Sequence, residues 1–289
     1  MKYKLTFVIG LILLCTSCKN KTQNSSEKTK KADVETVVNF NEVISDYNTW
    51  WSYHYYNINL SSDFIPVNTN SEIIDKGIFL KDLTSGNYIP LELKSNNSIP
   101  KYKLFKLPED ALKSIVGTIK STSEVTYKYF KMEGMEFPEF NFIDIDGNEY
   151  NNDQFNNKIT VLKTWFIACV PCIQEFPELN RLVDKYSNKK IQFVSLATDN
   201  KERLENFLKE KEFKYAVVPN QREFIQETLK LNIYPTHIII DEKGIIKKVV
   251  NKAPRMISYL ENSTDLPDSQ TKKKLPPPPP PPPPAPARN

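Results

Sequence analysis

Apolar residues follow one pattern before residue 134 and another after it. From Gly134 onward, continuous apolar runs alternate with amphipathic stretches. Ile159–Phe166 and Ile191–Ala197 are apolar throughout most of their length and predict buried strands, while Cys169–Tyr186 repeats its apolar positions with helical period. Pro177 predicts a bend in that helix, because proline lacks the N–H and crowds the preceding turn. Phe140–Ile145, Asp146-Gly147-Asn148 and Glu149-Tyr150 predict a strand, a turn and a returning strand. Glu202–Lys211 and Glu223–Leu231 predict helices, with Tyr215–Val218 short and extended between them. Thr236–Asp241 and Ile245–Val250 predict a hairpin turning at Glu242-Lys243-Gly244. Pro254–Glu261 predicts a closing helix with proline in its first turn. Such alternation is the mark of an α/β unit.

Residues 34–132 are patterned differently. Short apolar runs (Ile73-Ile74, Gly77–Leu80, Tyr88–Leu93, Tyr102–Leu107) are separated by turn residues such as Ser85-Gly86-Asn87 and Ser95-Asn96-Asn97. This predicts a small β-rich domain. The aromatic cluster Trp50, Trp51, Tyr53, Tyr55 and Tyr56 precedes these runs; its plain reading is core packing, and its alternative a partner surface.

The ends of the chain carry separate signals. Lys2 and Lys4 precede Leu5–Leu14, an apolar run shorter than the roughly 20 residues a spanning helix needs. Cys15-Thr16-Ser17-Cys18 and then polar sequence follow, so residues 1–18 read as an export signal of lipoprotein type ending at a lipidated Cys18. Residues 19–33 are rich in Lys, Ser, Thr and Asn and read as a flexible tether. Residues 263–289 contain the proline run Pro276–Pro284, which adopts an extended polyproline conformation outside any packed core.

Composition narrows the chemistry. The chain has 289 residues, a net charge of +4 with acids and bases mixed, and four cysteines. The balance gives no nucleic-acid-binding stripe, and four cysteines do not make a disulfide-stapled scaffold. With Cys15 and Cys18 in the leader, Cys169 and Cys172 are left as a pair, in Cys169-Val170-Pro171-Cys172 between a strand and a helix. Free N–H groups and the dipole at a helix start favour a thiolate, and a second thiol three residues on can resolve a mixed disulfide. A zinc site needs two further ligands, and only His54 and His237 are available as histidines. Haem attachment needs a histidine where Ile173 stands, and no Thr-x-x-Cys peroxidatic motif is present. No metal or cofactor is expected.

The block Trp165…Cys169-Val170-Pro171-Cys172, followed by Glu175-Phe176-Pro177-Glu178-Leu179 and, before the final hairpin, Tyr234-Pro235-Thr236, resembles the thioredoxin superfamily. The nearest resemblance is to the TlpA/ResA-like membrane-tethered thiol–disulfide oxidoreductases, here in lipoprotein form. It covers about residues 134–262 and implies a thioredoxin-like fold there, a central mixed sheet flanked by helices. It also implies that Pro235 is cis and faces the dithiol, that Tyr234, Pro235 and Thr236, with Trp165 and Pro171, contact the substrate, and that Glu175 assists proton transfer. The plain alternative for Glu175 is an exposed first-turn residue that favours the helix dipole. Two departures separate the chain from thioredoxin itself: Lys163 occupies the place of a buried aspartate, and Ala168 that of the tryptophan before the first cysteine.

The function so implied is reduction of protein disulfides on the periplasmic face of a bacterial membrane, such as those of apocytochromes before haem attachment, with a membrane electron donor recharging the dithiol. The alternatives are a disulfide oxidase or isomerase, or a partner-binding lipoprotein whose thioredoxin-like domain is redox-inert.

Overall fold

Seven residues of unbroken burial, Ile159–Trp165, form the centre of the fold. The computed structural model describes residues 35–95, 98–155, 157–187 and 190–263; the leader with Cys18, the tether and the proline run lie outside the described residues. Residues 34 onward cluster as one unit. Its N-terminal part comprises α1 (Phe40–Val43), α2 (Tyr47–Asn57), β1 (Ile65–Val67), α3 (Lys76–Leu83), β2 (Tyr88–Glu92), β3 (Lys101–Lys106) and α4 (Lys113–Met132). The strands pair in the order β1-β3-β2.

This part is not the β-rich domain that the short apolar runs suggest. Helix α4 alone has 20 residues, against 6 in β3, the longest strand here. Thr118, Ser121, Thr122, Ser123 and Thr126 give α4 a weak helical signal, since β-branched and hydroxyl side chains are poor helix formers. The helix accommodates them by back-bonding: Thr122 Oγ1 donates to the Thr118 carbonyl (2.7 Å) and Thr126 Oγ1 to that of Thr122 (2.9 Å). Ile115 and Ile119, four apart, are completely buried in the N-terminal core, while Tyr129 near its end joins the core of the following sheet. The aromatic cluster is helical as well. Asp46 caps α2 through the N–H groups of Asn48 and Thr49, and Trp50 and Tyr53 point into the core.

Beyond α4 come the hairpin β4 (Asn141–Ile143) and β5 (Glu149–Asn151), α5 (Asn152–Phe155), β6 (Ile159–Trp165), α6 (Val170–Gln174), α7 (Phe176–Tyr186), β7 (Ile191–Ala197), α8 (Lys201–Leu208), β8 (Ala216–Val218), a single-turn π-helix (Phe224–Thr228), β9 (Thr236–Ile240), β10 (Ile246–Val250) and α9 (Ala253–Asn262). The main sheet runs β10-β9-β6-β7-β8. β6, β7 and β8 are parallel, β9 is antiparallel to β6, and β10 to β9, so the sheet is mixed. Both faces of β6 are covered. Leu162 packs with Ile238, Ile240 and Tyr129 on one side, and Val161 with Leu179, Met256 and Ile257 on the other.

The long helix expected over Cys169–Tyr186 is broken rather than bent. Pro177 has no N–H to offer Ile173, and the Ile173 carbonyl instead accepts from Glu175, which ends α6 and begins α7.

Candidate active site

The turn after β6 presents the cysteines. Cys169 N–H donates to the Phe166 carbonyl (3.1 Å), and Ile167 N–H to Asp199 Oδ2 (2.8 Å), fixing the chain as it leaves the sheet. Cys169 is the N-cap of α6 in extended conformation, and Pro171 sits in the first turn, where a missing N–H costs nothing. Cys169 and Cys172 form a disulfide of 2.01 Å. The Cys172 N–H points at Cys169 Sγ (3.3 Å), a hydrogen bond that favours the thiolate once the pair is reduced. Cys169 retains 5% exposure and Cys172 none. Ala168, Val170 and Pro171 are exposed around the pair, so Cys169, the less buried of the two cysteines, is rimmed by small apolar groups.

Tyr234-Pro235 is a cis peptide bond. The partly exposed Tyr234 ring meets Phe166 edge-on with centroids 5.3 Å apart, and both join the apolar cluster that contains the two cysteines. Three of the residues expected to touch substrate, Trp165, Pro235 and Thr236, are buried. Trp165 and Thr236 are completely buried. Trp165 packs against Phe176, Phe207 and Phe213 beneath the motif. Thr236 Oγ1 donates to the Ile233 carbonyl (2.7 Å) and so accepts from the Tyr129 hydroxyl (2.8 Å), and the Thr236 N–H donates to Thr164 Oγ1 (3.2 Å). Both residues support the surface from below, because the strand ends that carry them face inward. Replacing Tyr129 with Phe, which leaves Thr236 its bond to Ile233, should lower stability by about 1 kcal/mol in urea unfolding.

A buried ionic cluster adjoins the motif. Lys163 on β6 and His237 on β9 are cross-strand partners, so their side chains share one face. The break between α6 and α7 aims Glu175 at both. Its Oε2 accepts from Lys163 Nζ (2.5 Å) and lies 3.0 Å from His237 Nε2, while Oε1 accepts from the Ala253 N–H at the start of α9 (2.8 Å). Lys163 and His237 side chains are fully buried, and that of Glu175 is 15% exposed. Glu175 is therefore not the exposed first-turn residue of the plain alternative. Burial alone would raise its carboxyl, but His237 and Lys163 together outweigh burial and hold it at about 2. Burial lowers both His237 and Lys163, with Glu175 opposing the shift in each. Near neutrality Glu175 is thus a fixed carboxylate, and His237 is neutral with Nε2–H donating to it. His237 Nδ1 is buried without a hydrogen-bond partner.

Sequence alone does not assemble this cluster: Lys163 stands out there only as a departure from thioredoxin and His237 only as a candidate ligand. The available signal was a lysine and a histidine inside two otherwise apolar strands, since buried charge requires a partner. Among the described residues no three metal-ligating side chains converge, and no helix is long and apolar enough to cross a membrane.

Comparison with known proteins agrees with this architecture. Residues 132–263 match the Redoxin family model. The chain is 32% identical over 139 residues to the thiol–disulfide oxidoreductase ResA of Bacillus thuringiensis subsp. konkukian, covering 46% of this chain and 80% of the relative. It is 28% identical over 135 residues to ResA of Bacillus cereus, covering 45% and 78%. A solved structure of a putative thiol:disulfide interchange protein DsbE from Chlorobium tepidum superposes with a TM-score of 0.41 at 24% identity, over 45% of this chain and 92% of that one. With a cysteine pair at the start of a helix, a cis-proline loop packed beside it and a ResA relative matched over most of its length, this chain belongs to the TlpA/ResA-like family of thiol–disulfide oxidoreductases in the thioredoxin superfamily.

Proposed function

We propose that the protein reduces disulfides of other proteins outside the cytoplasm while tethered to a membrane through Cys18. The observation that carries the dithiol mechanism is the unequal placement of the two cysteines: Cys169 keeps some exposure and is hydrogen-bonded by an N–H, whereas Cys172 is fully enclosed. In the reduced protein, Cys169 thiolate attacks one sulfur of the substrate disulfide. A mixed disulfide forms, and the other substrate sulfur leaves as a thiolate that takes up a proton. Cys172 then loses its proton and attacks Cys169 Sγ. The Cys169–Cys172 disulfide forms and the second substrate thiol departs. The substrate gains two electrons and two protons, which a membrane donor restores to the dithiol. Tyr234 and the exposed Pro171 contact the substrate during attack, and the buried Pro235 positions the Tyr234 backbone for it. Glu175 contributes as a fixed negative charge within its cluster, since a carboxyl held at about 2 takes up no proton near neutrality.

The leader pattern supports the tether and the extracytoplasmic setting, and the polar stretch 19–33 supports a spacer between lipid and residue 34. Apocytochromes awaiting haem are one substrate class that fits an extracytoplasmic reductase.

Direction is tested by redox poise. The dipeptide Val170-Pro171 contains no histidine to stabilise the thiolate, which makes the reduced form less favoured and the couple more reducing. Equilibration with glutathione should give a potential nearer about −270 mV than about −120 mV, and a value above roughly −150 mV would assign the protein to oxidation instead.

A further inference from the structure

A cavity of about 330 Å³ lies among α2, α4 and the segment joining β10 to α9. Neither cysteine lines it, nor does Glu175, Tyr234 or Pro235, so it is separate from the dithiol.

Its charges do not balance. Lys76, Lys248, Lys252 and Arg255 line it, with Glu133 as the one carboxylate among its lining residues. Glu133 is already bound to Lys248 at 3.0 Å. Lys76 donates to the Ser62 carbonyl, and Lys252 sits 3.9 Å above the Tyr55 ring. Among the described residues neither of these lysines nor Arg255 has a carboxylate at ion-pair distance. Burial, helped by neighbouring cations, pulls Lys76 and Lys252 down to about 8 each.

Two further polar groups that line the cavity, one on α2 and one on α4, are also unmatched. Ser123 is 1% exposed and its Oγ has no hydrogen-bond partner. His54 Nδ1 is likewise buried without one. Buried groups left unpaired are uncommon in folded proteins, because each forfeits its hydration without return. Here both unmatched groups can act as donors, and they border the same cavity as the unmatched cations. A water would satisfy the hydroxyl but not the charge. Beside His54 on α2, the Trp51 and Tyr55 rings supply an aromatic wall.

We propose that this cavity binds a small organic oxyanion, a carboxylate or phosphate ester on an aromatic or apolar body. Arg255, Lys252 and the Ser123 hydroxyl hold its head, and Trp51 and Tyr55 flank its body. The anion restores the charge balance that the protein alone lacks.

The test is calorimetric titration of the full chain, and of Arg255→Gln and Ser123→Ala, with benzoate, phenyl phosphate and inorganic phosphate. Benzoate or phenyl phosphate should bind saturably at one site, and whichever binds tighter names the head group. Inorganic phosphate should bind more weakly, since it leaves the aromatic wall unused. Affinity should fall at least tenfold in Arg255→Gln and at least threefold in Ser123→Ala. The unliganded Arg255→Gln protein should melt no lower than the parent, because it loses a partly buried cation with no carboxylate partner. Absence of saturable binding for all three probes, or unchanged affinity in both variants, would overturn the proposal. So would a lower melting temperature of Arg255→Gln combined with no binding by the parent, which would make Arg255 a structural residue.

Discussion

Cys169→Ala protein should show disulfide-reductase turnover reduced on the order of 10³-fold or more, the scale seen when a covalent nucleophile is removed. Cys169 is the less buried of the two cysteines and the one facing the Cys172 N–H. Without it, the remaining thiol at 172 is fully enclosed by the cluster of Trp165, Phe176, Ala197, Leu204 and Val217 and cannot reach a protein substrate. The loss should be catalytic rather than structural. The disulfide spans three residues of sequence, so removing it costs about 2 kcal/mol at most on the chain-entropy account. A folded Cys169→Ala protein with full turnover in a model protein-disulfide assay would eliminate the dithiol mechanism.

Glu175→Gln should destabilise the protein by about 3–5 kcal/mol, the usual consequence of removing one partner from a buried ion pair. Glutamine leaves Lys163 without a counter-charge at zero exposure and puts an amide N–H against its ammonium or against His237. The pH dependence should separate this from a simple packing loss. Glu175 is held at about 2 in the folded protein against 4.5 ordinarily, so the stability it supplies is present above about 4.5 and drains away as pH falls toward 2. His237 is also lowered, so the unfolded chain takes up its proton first and acid costs further stability below about 6.5. Urea unfolding of the parent should therefore weaken from pH 7 to pH 3, and Glu175→Gln should lack the part of that loss between 4.5 and 2. Lys163→Met is the matched control: it removes the buried cation while His237 and the Ala253 N–H still bind the carboxylate, so its destabilisation should be smaller. In stopped-flow exchange from pH 5 to 9, a Glu175→Gln profile that differs at the resolving step assigns the cluster a part in proton handling; superimposable profiles leave it a structural one.

Much of the α/β half was legible because its signals are local. Ile159–Trp165 and Ile191–Ala197 are runs of apolar residues long enough for buried strands, and Gly244, with φ of 78°, marks the hairpin turn its sequence suggested. The Cys-x-Pro-Cys motif is equally local. The N-terminal half was not legible for the opposite reason. Helix α4 is built from threonines and serines whose propensity opposes helix, and it forms because Ile115 and Ile119 bury against α3 and the small sheet while Tyr129 docks at the cis-proline loop. Those are tertiary contacts that no window of sequence contains. The ionic cluster illustrates the intermediate case. Each member stands out alone, a charged or titratable residue where its neighbours are apolar, but only the antiparallel register of β6 with β9 brings Lys163 beside His237. Only the break at Glu175, imposed by Pro177, brings in the third.

In the proposed mechanism Cys169 attacks and Cys172 resolves. Its most direct measurement is mass spectrometry of the mixed disulfide formed when reduced Cys172→Ala protein meets a disulfide-bonded protein substrate. The account predicts a stable covalent adduct joined through Cys169, released by dithiothreitol and absent from Cys169→Ala. An adduct absent from Cys172→Ala but formed through Cys172 in Cys169→Ala would contradict it.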